Sequence, residues 1–174
     1  MADNPTTTSV VRIYRFPALP KAMLARISAG RSEAARVWMH CRDLHHAARK
    51  DRTPWPWRDA LQKSTKGQFA LHSQTVQMIG HAFLANIETT LQLRKASNRK
   101  ARYPWRDKRY YPLLWPAQAV AVQGKHLILP MGRGQASIFR GWECHQKGNC
   151  NPIRYTSQVN DHLCWTARIS QAQK

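Results

Sequence analysis

The spacing of hydrophobic residues changes several times along the chain, and each change marks an element. Residues 1 to 8 are small and polar with one proline, which predicts a disordered start. Val10 to Phe16 then mixes β-branched and aromatic residues with arginines up to Pro17, the composition of a strand. Alternation puts Val11, Ile13 and Arg15 on one face and Val10, Arg12, Tyr14 and Phe16 on the other. From Ser32 to Lys50 the period lengthens: Ala35, Val37, Trp38, Cys41, Leu44 and Ala48 recur at helical spacing, with Ser32 placed to cap and Glu33 near the positive end. Arg36, Arg42, Arg49 and Lys50 fall largely off that stripe, and Thr53-Pro54-Trp55-Pro56-Trp57 cannot continue the helix. A second helix is predicted over Gln74 to Lys95, capped by Ser73, with Val76, Ile79, Phe83, Ile87 and Leu91 on its apolar face. The two helices should pack together, with Trp38, Val76, Ile79, Phe83 and Leu91 in the core.

Leu113 to Val122 and His126 to Leu129 have strand composition, and Gln123-Gly124-Lys125 between them suits a tight hairpin turn, with Pro130 and Gly132 closing the unit. After Arg133 the pattern decays, because Gly141, Gly148 and Pro152 interrupt it and no clear period emerges. An irregular tail over 134–174 is the expectation. The whole pattern predicts an α+β fold, with helices inserted between strands of one small sheet.

Charge narrows the partners. Lys and Arg number 28 against 9 Asp and Glu, a net +19 in 174 residues, and such an excess repels itself unless a polyanion neutralises it. No apolar run approaches the roughly 20 residues that a spanning helix needs, and no signal-peptide pattern opens the chain, so nucleic acid is favoured over membrane. Four unevenly spread cysteines without a secretory signal point to the cytoplasm. The charge is densest between residues 97 and 111, where Arg99, Lys100, Arg102, Arg106, Lys108 and Arg109 crowd around Tyr103, Trp105, Tyr110 and Tyr111 with one acid, Asp107. Cations of this kind neutralise phosphates, and aromatic faces stack on unpaired bases. The segment is therefore the candidate nucleic-acid-binding site. For any single ring, burial in the core is an equal alternative.

Catalytic and metal chemistry find less support. Cys144, Cys150, His162 and Cys164 are the metal-ligating candidates, with His145 beside them, but their spacing does not match the paired Cys-x2-Cys pattern of zinc sites. Cys41 and His45 share a helix face, and are read as a core thiol beside a partly exposed imidazole. Cleavage by two metal ions needs several converging carboxylates, and beyond residue 110 only Glu143 and Asp161 remain. No cofactor motif is present, and the chain is not expected to be an enzyme.

Three stretches resemble the TnpB family, the OrfB-type transposon-encoded proteins related to type V CRISPR effector nucleases. Val10-Val11-Arg12-Ile13-Tyr14-Arg15-Phe16 is similar to the family's first strand, and Ala34 to Arg42 to the helix that follows, although Met39-His40 departs from a family Asn. Leu71-His72-Ser73-Gln74-Thr75-Val76-Gln77 resembles its Ser-Gln helix opening. Arg102-Tyr103-Pro104-Trp105-Arg106 through Tyr111, then Gln118 to Gly132, resembles a Pro-basic-aromatic run leading to a strand, a Gly turn and a Leu-Pro-x-x-Gly ending. The likeness spans about residues 9 to 133. It implies a small split, wedge-type β-barrel from residues 9–18 and 112–133, with 19–111 as an inserted helical recognition domain ending in the basic aromatic linker. It also implies binding of guide RNA and DNA in a prokaryotic, nucleoid-associated setting. The family's RuvC-type nuclease domain would lie beyond Gly132 and has no counterpart in this sequence, whose tail has the look of a frameshifted or recombined frame. The alternatives are a transposase or nuclease active in its own right, or a decayed insertion-sequence remnant with non-specific binding.

Overall fold

The computed structural model describes residues 9–15, 19–96, 100–123, 126–132, 135–140, 150–157 and 163–170. They form an α+β fold in which three helices occupy the middle of the chain and strands lie to either side.

The first helix, α1, runs Lys21–Lys50, about 45 Å long, and starts well before the expected Ser32. Helix formers follow Pro20, whose carbonyl accepts from the amides of Met23 and Leu24, so the helix begins at a proline, which favours first turns. Ser32 is thus interior and caps nothing. Glu33, expected near a positive end, instead bridges outward: its Oε1 accepts from the amide of Ala70 at 3.0 Å, while Oε2 pairs with Arg36 at 2.6 Å. The buried stripe Ile27, Gly30, Ala34, Val37, Trp38, Cys41, His45 and Ala48 advances by threes and fours along the whole helix.

A short α2 spans Arg58–Thr65 and buries Leu61 and Thr65. Gly67, at φ 77°, turns the chain out of it. The third helix, α3, spans Ser73–Lys95; His72 occupies the cap position and Ser73 is the first helical residue, without a side-chain capping bond. Val76, Ile79, Phe83 and Ile87 are buried as the period requires, and Leu91 packs half-buried at the edge of the core. Trp38 meets Phe83 edge to face, ring centroids 5.1 Å apart, at the α1–α3 contact.

The expected strand over 113–122 is broken into three. Strand β2 covers only Leu114–Trp115, a 3-10 turn covers Ala117–Ala119, and β3 covers Ala121–Gln123. Pro116 causes the break: it has no amide to donate, and its carbonyl closes the turn by accepting from Ala119. Strand β3 pairs antiparallel with β4, His126–Gly132, as a hairpin, but Gln123, expected in the turn, belongs to the strand and lies opposite His126. Residues 124–125 of its turn lie outside the described ones.

The irregular tail is corrected where it is described. Gln135–Arg140 (β5), Cys150–Ser157 (β6) and Leu163–Ser170 (β7) are strands. Strand β7 pairs with β6 and with the opening strand β1, Ser9–Arg15, along its full length, giving the order β1-β7-β6-β2; a second sheet has the order β3-β4-β5. Pro152, which interrupts the pattern of β6, sits at a register shift between Cys150 and Ile153, and Pro130 of β4 sits beside another, where a missing ladder donor costs least. No ladder joins the two sheets among the described residues.

One core serves helices and strands together. Leu113, Leu114, Trp115, Leu129 and Met131 complete the cluster begun by α1 and α3. The indole of Trp115 donates to the carbonyl of Pro130 at 2.8 Å, fastening β2 to β4. Gly30 lets Leu113 and Met131 press against α1, and Gly132 lets β4 reach the backbone of Ala70. Among the described residues, no helix is long and apolar enough to cross a membrane.

Candidate nucleic-acid interface

The basic aromatic segment has no regular hydrogen-bond pattern of its own from residue 100 to 111, so other elements must hold it. Its first half is fixed to α3: Thr90 Oγ1 donates to the carbonyl of Arg102 at 3.2 Å, and Arg94 Nε to that of Ala101 at 3.1 Å. Its second half runs back along α1. The Trp38 indole donates to the carbonyl of Pro104 at 3.3 Å, Arg42 pairs with Asp107, and the amide of Tyr111 donates to the carbonyl of Arg31 at 3.1 Å.

This course decides what the rings do. Tyr103 and Trp105 stack on each other with centroids 4.8 Å apart, Trp55 meets both edge-on, and His46 lies 4.4 Å from the Trp105 centroid. Tyr111 stacks on Trp38 at 4.5 Å. These three rings are half-buried and already pack against protein, because an irregular segment stays on the surface only by burying apolar area. Tyr110 differs, being 42% exposed.

The cations divide the same way. Lys100, Arg102, Arg106 and Arg109 are exposed, whereas Lys108 is half-buried with its ammonium 4.9 Å from the centre of Trp38. Arg99 lies outside the described residues. Three arginines not among the expected contacts join the row: Arg49 over Trp105, Arg94 over Tyr103 and Arg31 over Tyr110, each within 5.3 Å of the ring centre. Guanidiniums held over rings are attracted to the face and lose less freedom on meeting a phosphate. Arg31, Arg42 and Arg49 are 11 and 7 residues apart on α1, close to whole numbers of helical turns; Arg42 and Arg49 were legible on the expected helix, whereas Arg31 precedes its expected start. Asp107, the one acid of the segment, is engaged by Arg42.

A cavity of about 510 Å³ lies between α1, residues 68–69 and residues 108–109 of this row, and a second of about 720 Å³ lies between α2, residues 66–72 and the first turns of α3. The smaller is lined by Arg36, Met39, His40, Phe69, Lys108 and Arg109, among others, the larger by Lys63, Lys66, Phe69, Leu71, His72 and Val76, among others.

The remaining candidates are placed as follows. Cys41 is fully buried and its thiol is pushed up to about 12 by burial. His45, expected partly exposed, is also fully buried, because the 53–57 loop folds over it; its Nε2 lies 2.9 Å from the carbonyl of Pro56, and its ring meets Trp55 and Phe83 edge-on. Burial holds this imidazole below its ordinary range, so it is neutral. Cys144, His145, His162, Glu143 and Asp161 lie outside the described residues. Backbone register sets Cys150 opposite Ile169, five positions along β7 from Cys164, roughly 17 Å at strand rise, too far to share an ion. No protein-family model matches the chain, and no curated protein matches it.

Proposed function

We propose that this chain is a nucleic-acid-binding protein, a TnpB-like recognition module that holds guide-type RNA and DNA and does not itself cut. The observation that carries the reading is the row of cations along residues 100–111, with Arg31, Arg49 and Arg94 set beside it and its one acid neutralised by Arg42. On this reading the phosphate contacts are Lys100, Arg102, Arg106 and Arg109, joined by Arg99 and Lys108. Tyr110, the exposed ring, carries Arg31 and Arg109 over it and is the stacking candidate. Tyr103, Trp105 and Tyr111 act indirectly, by holding the cations in place.

The resemblance supplies the finer picture, with the strands belonging to a wedge-type barrel and the helices to a recognition insert in a prokaryotic cytoplasm. Binding is tested with a structured RNA, a single strand and a duplex across a salt series. Each phosphate neutralised contributes about 0.7 to 0.9 to the slope of log affinity against log salt. The triple variant Arg102→Gln, Arg106→Gln, Arg109→Gln should therefore lower the slope by about two to three. Absence of binding to all three probes at low salt overturns the proposal. Magnesium-dependent cleavage by the purified protein would overturn the statement that it does not cut.

A further inference from the structure

The two cavities share a wall. Phe69 lines both, with Gln68 on the side of the smaller and Gly67 on the side of the larger. Each has cations at its rim, Arg36, Lys108 and Arg109 for the first and Lys63 and Lys66 for the second. Each also has a histidine with a buried ring nitrogen that no protein group satisfies, Nε2 of His40 in the first and Nδ1 of His72 in the second. Both nitrogens are turned into the protein, so the histidines line the cavities with their other ring edges. Asp43 is the acid on the first cavity and its carboxylate is engaged by Arg42.

The shared ring is fixed in place. Ala70, next to it, donates its amide to Glu33, its carbonyl faces the close approach of Gly132, and the Phe69 ring meets His40 edge-on at 5.7 Å.

We propose that Phe69 is a wedge between two base pockets, so that consecutive unstacked nucleotides of a single strand seat one base on either side of the ring with their phosphates at the two cation groups. The inference rests on the nucleic-acid reading above and deepens it: a flat, polar-edged base beside a phosphate matches an aromatic wall flanked by polar side chains, Gln68 in the first cavity and Gln62, Ser73 and Gln77 in the second, with cations in each lining. Paired bases cannot enter such pockets, so single strands are preferred over duplex.

The test uses the full chain and a labelled single-stranded RNA of about eight uridines, a length within the usual site sizes of single-strand binders. Phe69→Leu keeps an apolar side chain and removes the ring. It should weaken binding about tenfold, the order of one lost base–aromatic stack, with the salt slope unchanged. Lys63→Gln with Lys66→Gln should instead lower the slope by about one to two. A second measurement needs no variant: 4-thiouridine in the same RNA should photo-cross-link the wild-type protein within the tryptic peptide 67–94, which carries Phe69 and His72. Folded Phe69→Leu binding as tightly as wild type, or cross-links confined to other peptides, overturns the base pockets and leaves nucleic-acid binding standing. Wild-type protein that binds no nucleic acid overturns both.

Discussion

Two glycines should respond to the same substitution in opposite directions. At Gly132 an added Cβ would lie 2.8 Å from the carbonyl oxygen of Ala70, a backbone atom that no side-chain rotation can move aside. Ordinary carbon–oxygen contacts are about 3.3 to 3.6 Å, so strand and loop must separate by about half an ångström or more. Overpacking of this kind costs about 1–3 kcal/mol. At Gly80, inside α3, a Cβ meets nothing within 4 Å, and alanine in a helix interior is favoured over glycine by about 0.8–1.0 kcal/mol. With a urea slope of about 2 kcal/mol per molar, Gly132→Ala should lower the unfolding midpoint by about 0.5–1.5 M and Gly80→Ala should raise it by about 0.4–0.5 M. Urea titrations followed by circular dichroism read both shifts. A Gly132→Ala midpoint equal to wild type would refute the close docking of β4 on residue 70, and a lowered Gly80→Ala midpoint would refute the space beside α3.

Three further outcomes are expected. His45 and His81 are both held below the ordinary imidazole value of 6.5 by burial, so their contribution to stability is fully present above that pH and is lost as pH falls below it; the urea midpoint should drop between pH 7.5 and 5, and less steeply in His45→Gln. A persistent wild-type slope in that variant would show that His45 is not responsible. The Cys41 thiol should resist iodoacetamide in the native protein and react only after unfolding, as read by mass spectrometry of its peptide. Trp115→Phe leaves the Pro130 carbonyl without its indole donor and opens space in the core, which should destabilise by about 1–3 kcal/mol; an unchanged unfolding midpoint would contradict that hydrogen bond.

Both long helices were legible because their stripes are apolar and long. The first eleven residues of α1 were not, since one position of the stripe there is Gly30, which shows no hydrophobic side chain in the sequence and packs against Leu113 and Met131. Strands β6 and β7 were missed for a different reason. Strand β6, interrupted by Pro152, reads as a loop unless its partner is known, and β7, which has no proline, finds its partner β1 at the other end of the chain. At the candidate site the clustering of cations was legible. The burial of Tyr103, Trp105 and Tyr111 was not, because it depends on which residues α1 presents to the segment, Trp38 and His46 among them. The smaller cavity on Phe69 joins three separated stretches, residues 32–43, 68–69 and 108–109, and the larger is formed by the turn between α2 and α3, so no hydrophobic period marks either.

The pairing of Ser9 with Ser170 sets an order of events during synthesis. Helices α1 and α3 make their contact within a span of 75 residues and can form as soon as that span has left the ribosome. The first strand emerges before them and then waits, because its partner is made near the end; at roughly 5–20 residues per second that interval lasts on the order of ten seconds or more. Until then β1 is an unpaired edge carrying Val10, Val11, Ile13 and Tyr14, open to any other strand nearby. Chains shortened at residue 133 keep this strand and lose its complement, so they should aggregate through it unless residues 1–16 are removed as well.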